Sequence, residues 1–172
     1  GLLSLAVRGL RSQVLSFSHP GSTYQIQNDI RSFYGTEVTP ISPTALHLAM
    51  KRLDAGGVVI TGIDRPVEQG AHQVPVSFFG RPASLPVGHI RMALKTRAKV
   101  IVTGVRMYPE GVYGFDVSEP LEMKHYADKE DEICLNSAVI LGYIEKFIRA
   151  EPGQWLMYYP LWTQQTAPGI QV

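Results

Sequence analysis

Cysteine is nearly absent: Cys134 is the only one in 172 residues, which excludes an internal disulfide and any cysteine-rich metal site. Its neighbours Ile133 and Leu135 predict a buried thiol rather than a nucleophile. No run of about 18 apolar residues occurs and no cleavable signal pattern, so no bilayer-spanning helix is predicted and membrane contact would be peripheral. Charged residues make up only 18% of the chain. No low-complexity tract, repeat period or long charge run points to disorder. Also missing are a Gly-x-Ser-x-Gly elbow, a Gly-Lys-Ser/Thr phosphate loop, a Gly-x-Gly-x-x-Gly fingerprint and histidines paired at metal spacing. No metal and no bound cofactor is therefore expected. A starting methionine is lacking too, and Gly1-Leu-Leu-Ser-Leu-Ala-Val7 already has helix-like apolar spacing, so a fragment or processed product is expected.

What is present suits one globular domain over residues 1–172, since 45% hydrophobic composition at this length supports one substantial core. The net charge of +1 hides an asymmetry. Residues 1–106 carry twelve Lys/Arg against five Asp/Glu (+7), and residues 107–172 carry four against ten (−6). Either the basic part meets phosphate on a lipid, a membrane or a nucleic acid, or the two parts attract each other in the fold. Nucleic acid is not expected, because no motif interleaves aromatic with basic residues.

The periodicity predicts an α/β fold: a mostly parallel sheet flanked by helices, with an antiparallel pair near 100–118. Leu2 to Leu10 reads as a helix, Gln13 to Phe17 as a short buried strand, and Ser18-His19-Pro20-Gly21 as a turn. A helix follows, opened by a Ser22/Gln25 capping box, with Ile26, Ile30 and Phe33 on its apolar side and Gln27, Asn28 and Arg31 on its polar side, and ended by Gly35. Glu37 to Ile41 reads as a short strand. Ser42-Pro43 then caps a helix bearing Leu46, Met50 and Leu53 and running to Gly56. Gly57-Val-Val-Ile-Thr-Gly62 is apolar on both faces, as a central parallel strand is, and delivers Asp64-Arg65 at its carboxyl end, where ligands sit in open α/β sheets. After a polar loop over 67–77, Phe78-Phe79-Gly80-Arg81-Pro82 leads into a helix from about Pro86 to Arg97. Strands at Val100–Met107 and Val112–Ser118 are joined by a type I turn at Tyr108-Pro109-Glu110-Gly111. A final helix from about Asp128 to Ala150 turns Ile133, Ile140, Ile144, Phe147 and Ile148 to the core and stops before Pro152.

The chemistry concentrates at Asp64-Arg65 and at Phe79-Gly80-Arg81. A carboxylate, two guanidinium groups and a helix N-terminus together suit an anionic or phosphorylated substrate. Each residue also has a plainer reading. Asp64, at the end of a buried strand, needs a partner and finds one in substrate or in Arg65 or Arg31. Phe78 and Phe79 serve as core or as the wall of an acyl channel, and Arg81 as a ligand contact or as packing through its stem.

At these residues the chain resembles the lipid A biosynthesis (lauroyl/myristoyl) acyltransferase family of the lysophospholipid acyltransferase-like superfamily, which includes mycobacterial phosphatidylinositol mannoside acyltransferases. Asn28-Asp-Ile-Arg31 with Gly35 is similar to that family's helix motif. Gly56-Gly-Val-Val followed by Asp64-Arg65 is similar to its strand ending in Asp, and Val76-Ser-Phe-Phe-Gly-Arg-Pro-Ala83 with Gly88 to its Phe-Phe-Gly-Arg-Pro-Ala segment. Glu145-Lys-Phe-Ile-Arg-Ala-Glu-Pro152 and Gln154-Trp155-Leu156 resemble its closing signature. The resemblance covers nearly the whole chain in register. It implies a glycerolipid acyltransferase-like fold and transfer of a fatty acyl chain from acyl carrier protein or acyl-CoA to a hydroxyl of a glycolipid or lysolipid, at the cytoplasmic face of the inner membrane.

The resemblance also assigns roles. A histidine followed, after a four-residue spacer, by an acid deprotonates the acceptor hydroxyl, and its place in the family is just before a segment like Gly1 to Arg11. The general-base histidine is thus expected upstream of Gly1, and these 172 residues alone are expected to be inactive. Asp64 and Arg31 are implied as supporting catalytic residues, and Arg65, Phe79, Gly80 and Arg81 as substrate-binding. His125 to Glu130 matches the histidine–acid pattern by count but lies in a polar link after the sheet, and Tyr108-Pro-Glu-Gly111 is explained by its turn. In place of the family's closing basic run stands Met157-Tyr-Tyr-Pro-Leu-Trp162, which favours a less anionic acceptor than doubly phosphorylated lipid A precursors. Trp155, Tyr158, Tyr159 and Trp162 suit an interfacial belt or docking of the C-terminus on the core. The alternative function is a non-catalytic lipid-binding or scaffold module of the same fold.

Overall fold

A computed structural model of the chain describes residues 7–16, 22–66 and 74–162. In chain order its elements are β1 (Ser12–Ser16), α1 (Ser22–Phe33), β2 (Glu37–Pro40), α2 (Pro43–Asp54), β3 (Val58–Thr61), β4 (Val76–Phe78), β5 (Arg81–Ala83), α3 (Gly88–Thr96), β6 (Thr103–Met107), β7 (Tyr113–Val117) and α4 (Lys129–Ala150), followed by a 3₁₀ turn at Pro152–Gln154. The chain divides into two compact units, Gly1–Gly62 with Gly88–Met123 and Ile63–Val87 with Lys124–Val172. Most of the helix expected over Leu2–Leu10, the turn at Ser18–Gly21 and much of the loop after Pro66 lie outside the described residues.

The first unit carries a parallel sheet in the order β2-β1-β3. The central strand is therefore β1 and not Val58–Thr61, as its apolar sequence predicted. All five residues of β1 are buried, whereas β3 is half-buried along its length. A strand containing Ser12, Gln13 and Ser16 can sit there because burial of a polar group is tolerable once it is hydrogen-bonded. Gln13 Nε2 donates to Thr39 Oγ1 at 2.8 Å, and Ser16 Oγ accepts from Asn28 Nδ2 at 3.1 Å. The alternation of a strand puts Leu15 on the same face as Gln13, where it packs with Ala45, Ala49 and Met92 from α2 and α3, backed by Leu46, Met50, Leu53 and Val59.

The ends of α2 follow from sequence. Ser42 caps it by accepting from Ala45 N–H at 3.1 Å, with Pro43 in the first turn. Its C-terminus closes in a Schellman arrangement, Gly56 N–H to Leu53 O at 2.9 Å and Gly57 N–H to Arg52 O at 2.8 Å. Gly57 has no room for a side chain: a Cβ there would lie 2.5 Å from Arg52 Cγ and 2.9 Å from Arg52 O. Arg52 in turn pairs with Glu37 at the start of β2.

The antiparallel pair forms as expected, β6 on β7, with Val105 opposite Phe115 and Met107 opposite Tyr113. Its connection is the predicted type I turn, closed by Gly111 N–H to Tyr108 O at 2.9 Å. Upstream, Val100 makes only an isolated antiparallel bridge to Leu121, so β6 is shorter than expected.

The second unit is built on α4, which Asp128 caps by accepting from Glu130 and Asp131 N–H at 2.8 and 2.9 Å. Its core holds Val76, Phe78, Ala83, Leu85, Leu141 and Leu161, packed by Phe79, Ile144, Ile148, Trp155 and Trp162. The segment expected to lead straight into a helix instead forms a two-stranded hairpin, with Val76 opposite Ala83 and Phe78 opposite Arg81. The next helix begins only at Gly88 and belongs to the first unit.

Candidate functional site

At the carboxyl end of the parallel sheet, Ser16, Asn28, Arg31 and Tyr24 form a polar chain. Asn28 Nδ2 donates to Ser16, Arg31 Nη1 donates to Asn28 Oδ1 at 2.9 Å, and the Arg31 guanidinium lies 5.5 Å from the centre of the Tyr24 ring. Tyr24, Asn28 and Arg31 follow i, i+4, i+7 and share one helix face. This corrects the expected orientation of α1, because Asn28 is only 6% exposed while Ile26 and Phe33 are 59% and 83% exposed. A mutually satisfied Ser–Asn–Arg chain wins the inward position over the apolar stripe. Gln25, expected to reach back as a capping box, donates forward to Asp29 at 2.8 Å. Sequence reading named Arg31 but placed Asn28 on the solvent side and passed over Ser16; the signal was a serine ending a strand that is otherwise buried, which requires a partner.

The second unit gathers the other predicted residues. Phe79 and Gly80 are the two central residues of the β4–β5 hairpin, with φ of 51° and 72°, the signature of a type I′ turn. Glycine adopts this conformation freely, but an aromatic residue in the left-handed region costs about 1–2 kcal/mol. Two contacts hold it. The Phe79 N–H donates to Glu145 Oε1 at 2.7 Å, and the Arg149 guanidinium stands 4.8 Å from the Phe79 ring centre. Arg149 also pairs with Glu145 Oε2 at 2.9 Å. These residues sit i, i+4 on α4, so one helix face presents both to the turn.

Around the turn the aromatic rings form one cluster. Phe78 and Phe79 lie 4.7 Å apart, and each lies 6.0–6.4 Å from Trp155 and Trp162. The indoles are fixed by their polar ends: Trp162 Nε1 donates to Phe78 O at 3.0 Å and Trp155 Nε1 to Asp64 Oδ2 at 3.3 Å. The C-terminal tryptophans therefore dock on the core, while Tyr158 and Tyr159 stay exposed. Asp64 is half-buried and finds its partner in an indole N–H. Arg81 lies over the Trp162 ring at 5.2 Å, and Arg65 over Tyr159 at 5.8 Å. Asp64, Arg65, Phe79, Gly80 and Arg81 are thus all in the second unit, and Arg31 is in the first. The expected helix N-terminus is not part of the Phe79-Gly80-Arg81 arrangement, which is an apolar aromatic wall edged by guanidinium groups. Glu145 and Arg149 were missed as individual site residues because they lie far along the chain from the turn they hold.

Other reactive groups have structural duties. His125 Nδ1 meets Glu132, not Glu130, at 2.9 Å, and Lys129 Nζ meets the same carboxylate at 3.0 Å. With Tyr126 N–H as a further donor, the Lys129 hydrogen bond leads in holding Glu132 well below the usual carboxylate range, at about 2. The half-buried Cys134 thiol is pushed up by burial and by the nearby carboxylates of Glu130, Asp131 and Asp128, which removes it as a nucleophile. His89, in the first turn of α3, has both ring nitrogens enclosed without a hydrogen-bond partner, and burial lowers its pKa to about 4. Among the described residues no three His, Cys, Asp or Glu side chains converge to hold a metal ion, and no helix is long and apolar enough to cross a membrane. A shallow depression lined by Gln13, Glu37, Leu48, Lys51, Arg52, Ala55 and Gly57 lies toward the amino ends of the parallel strands, away from where ligands bind in such sheets.

Comparison with known proteins agrees with these motifs. Residues 10–164 match the profile of the bacterial lipid A biosynthesis acyltransferases. Phosphatidylinositol mannoside acyltransferases of two Mycobacterium tuberculosis strains, CDC 1551 / Oshkosh and H37Rv, are each 30% identical to the chain over 146 residues, which is 83% of this chain and 44% of the relative. The chain thus spans less than half the length of the curated relatives it matches. With the profile running across β1, the Asn28–Arg31 helix, the Phe79-Gly80 turn and the docked tryptophans, the chain belongs to the bacterial lipid A biosynthesis acyltransferase family.

Proposed function

We propose that the protein is an O-acyltransferase with a glycerolipid acyltransferase-like fold, moving a fatty acyl chain from an acyl thioester, on acyl carrier protein or coenzyme A, to a hydroxyl of a glycolipid or lysolipid. The observation that carries this reading is the Phe78–Phe79–Trp155–Trp162 cluster edged by Arg81, Arg149 and Arg65. An apolar wall with cations at its rim suits a molecule that is apolar at one end and anionic at the other, which both the donor and a phospholipid acceptor are. When the acceptor hydroxyl attacks the thioester carbonyl, negative charge develops on the carbonyl oxygen. Guanidinium groups already in place would stabilise it without reorganisation. Asp64, held by Trp155, and Arg31, held by Asn28, orient rather than exchange protons.

The name of the mycobacterial relatives, phosphatidylinositol mannoside acyltransferases, supports a mannosylated phosphatidylinositol as the acceptor, and Met157-Tyr-Tyr-Pro-Leu-Trp162, standing where the family has a basic run, supports one less anionic than a doubly phosphorylated lipid. The reading places the protein peripherally at the cytoplasmic face of the inner membrane, with Leu156 and Tyr158, both exposed, near the lipid surface.

The test uses the full-length protein with a radiolabelled palmitoyl thioester and a panel of lysolipid and mannosylated acceptors. Transfer that falls roughly tenfold or more in Phe79→Ala and Arg81→Ala supports the reading. Vesicle binding without transfer from either donor would instead favour the non-catalytic lipid-binding module.

A further inference from the structure

The proposed reading leaves Glu145 without a part in substrate contact, yet it makes the short bond to the strained turn. A type I′ turn favours Asn or Gly at both central positions, and Gly80 satisfies that preference at the second. Phe79 at the first does not, at φ 51°. A residue persists in such a conformation only when its surroundings over-determine it, and such residues gather at sites where geometry matters. Here the surroundings are few and specific. One Glu145 oxygen accepts the Phe79 N–H at 2.7 Å, the other is taken by Arg149, and the Arg149 guanidinium covers the Phe79 ring. The Glu145 side chain is only 17% exposed, so its hydrogen bond is shielded from competing water. Backbone and ring of one residue are therefore gripped from a single helix face.

We propose that Glu145 is a positioning residue: through its bond to the Phe79 amide, with Arg149 as its brace, it fixes the left-handed turn and thereby the direction in which the Phe79 ring and the adjoining Arg81 meet an anionic, apolar ligand. This rests on the acyltransferase reading for its catalytic consequence, though not for its geometry. A carboxylate is the suitable acceptor because the bond must hold an amide in a conformation that the side chain itself disfavours, and charge-assisted bonds are about twice as strong as neutral ones.

Two measurements on the full-length protein separate the geometric claim from the functional one. In amide hydrogen exchange, the Phe79 N–H is expected to lose roughly tenfold or more of its protection in Glu145→Ala and clearly less in Glu145→Gln, which keeps an acceptor in the same place. Unchanged protection of this one amide in Glu145→Ala overturns the proposal, whatever the enzyme does. In acyl-transfer kinetics, Glu145→Ala is expected to raise KM for the acyl thioester roughly tenfold with kcat changed less than about threefold, since the lost element is orientation of the bound ligand. In a Phe79→Gly background, where the turn needs no holding, the same substitution is expected to cost less than about threefold further. Equal costs in the two backgrounds overturn the proposal. If Glu145→Ala does not fold, Glu145→Gln carries both tests, with partial loss expected and wild-type protection and KM overturning the idea. Absence of transfer in the wild-type protein would refute the acyltransferase reading and leave the exchange measurement to decide the role of Glu145.

Discussion

Arg31, expected as a supporting catalytic residue, and Arg81, expected to bind substrate, are held in opposite ways. Arg31 is fixed by a directional chain, Nη1 to Asn28 Oδ1 and Asn28 Nδ2 to Ser16, with Tyr24 beneath it. Arg81 lies over the Trp162 ring, whose face tolerates many orientations. The first arrangement specifies one position and fails abruptly when a partner is lost. The second keeps its cation beside an apolar wall through a contact that depends less on exact geometry.

The largest expected effect comes from the core beneath the Arg81–Trp162 contact. Phe78 is completely buried and touches both tryptophans, so Phe78→Ala should cost about 3–5 kcal/mol in denaturant unfolding followed by tryptophan fluorescence. A loss below about 1 kcal/mol would show that the aromatic cluster is not a packed core. Acid should discriminate the units next. His89 has a pKa lowered from 6.5 to about 4, so the folded state favours its neutral ring. Its contribution is complete above pH 6.5 and is lost as pH falls from 6.5 toward 4, on the order of 3 kcal/mol. Glu132, lowered from 4.5 to about 2, has the same sign in a lower window, 4.5 down to 2. Because both tryptophans of the chain lie in the second unit, exchange protection in β1 should fall between pH 6.5 and 4 while tryptophan fluorescence holds. His89→Leu should flatten that first loss, and a simultaneous change of both probes would break the comparison.

A smaller effect tests the directional chain itself. Asn28→Ala strands the buried Ser16 hydroxyl and releases Arg31, for about 1–3 kcal/mol of thermal stability. Trp162→Phe removes the indole N–H from the Phe78 carbonyl while keeping an aromatic ring, for about 1 kcal/mol. The smallest is Arg81→Lys, which exchanges one cation over Trp162 for another and should cost less than about 1 kcal/mol of stability. If Arg81→Lys destabilises as much as Asn28→Ala, the distinction between the two arginines is wrong.

Local rules read correctly wherever a few adjacent residues decide the outcome. Ser42-Pro43 capped its helix, Asp128 opened α4, and Tyr108-Pro-Glu-Gly111 made its turn. The rotation of α1 was illegible because apolar spacing carries no record of a Ser–Asn–Arg chain that needs residues from two elements. The hairpin at Phe79-Gly80 was illegible because nothing about phenylalanine announces a positive φ; the carboxylate that enforces it comes from α4. Of the site, the residue types at Asp64, Arg65 and Phe79 to Arg81 were visible, and what each holds or is held by was not.

Gly57 has a bearing on the order in which the first unit assembles. The corner from α2 through Gly56 and Gly57 into β3 closes by contacts between near neighbours, so it can form before any distant strand arrives. It leaves the Arg52 side chain free to capture Glu37 on β2, joining the two outer strands' ends while β1 lies between them. A methyl group at position 57 would press on the Arg52 stem and its carbonyl at once. Gly57→Ala should therefore slow refolding more than it accelerates unfolding, which stopped-flow measurement of both rates would reveal. One missing side chain thus acts as a clock, deciding when the parallel strands come into register.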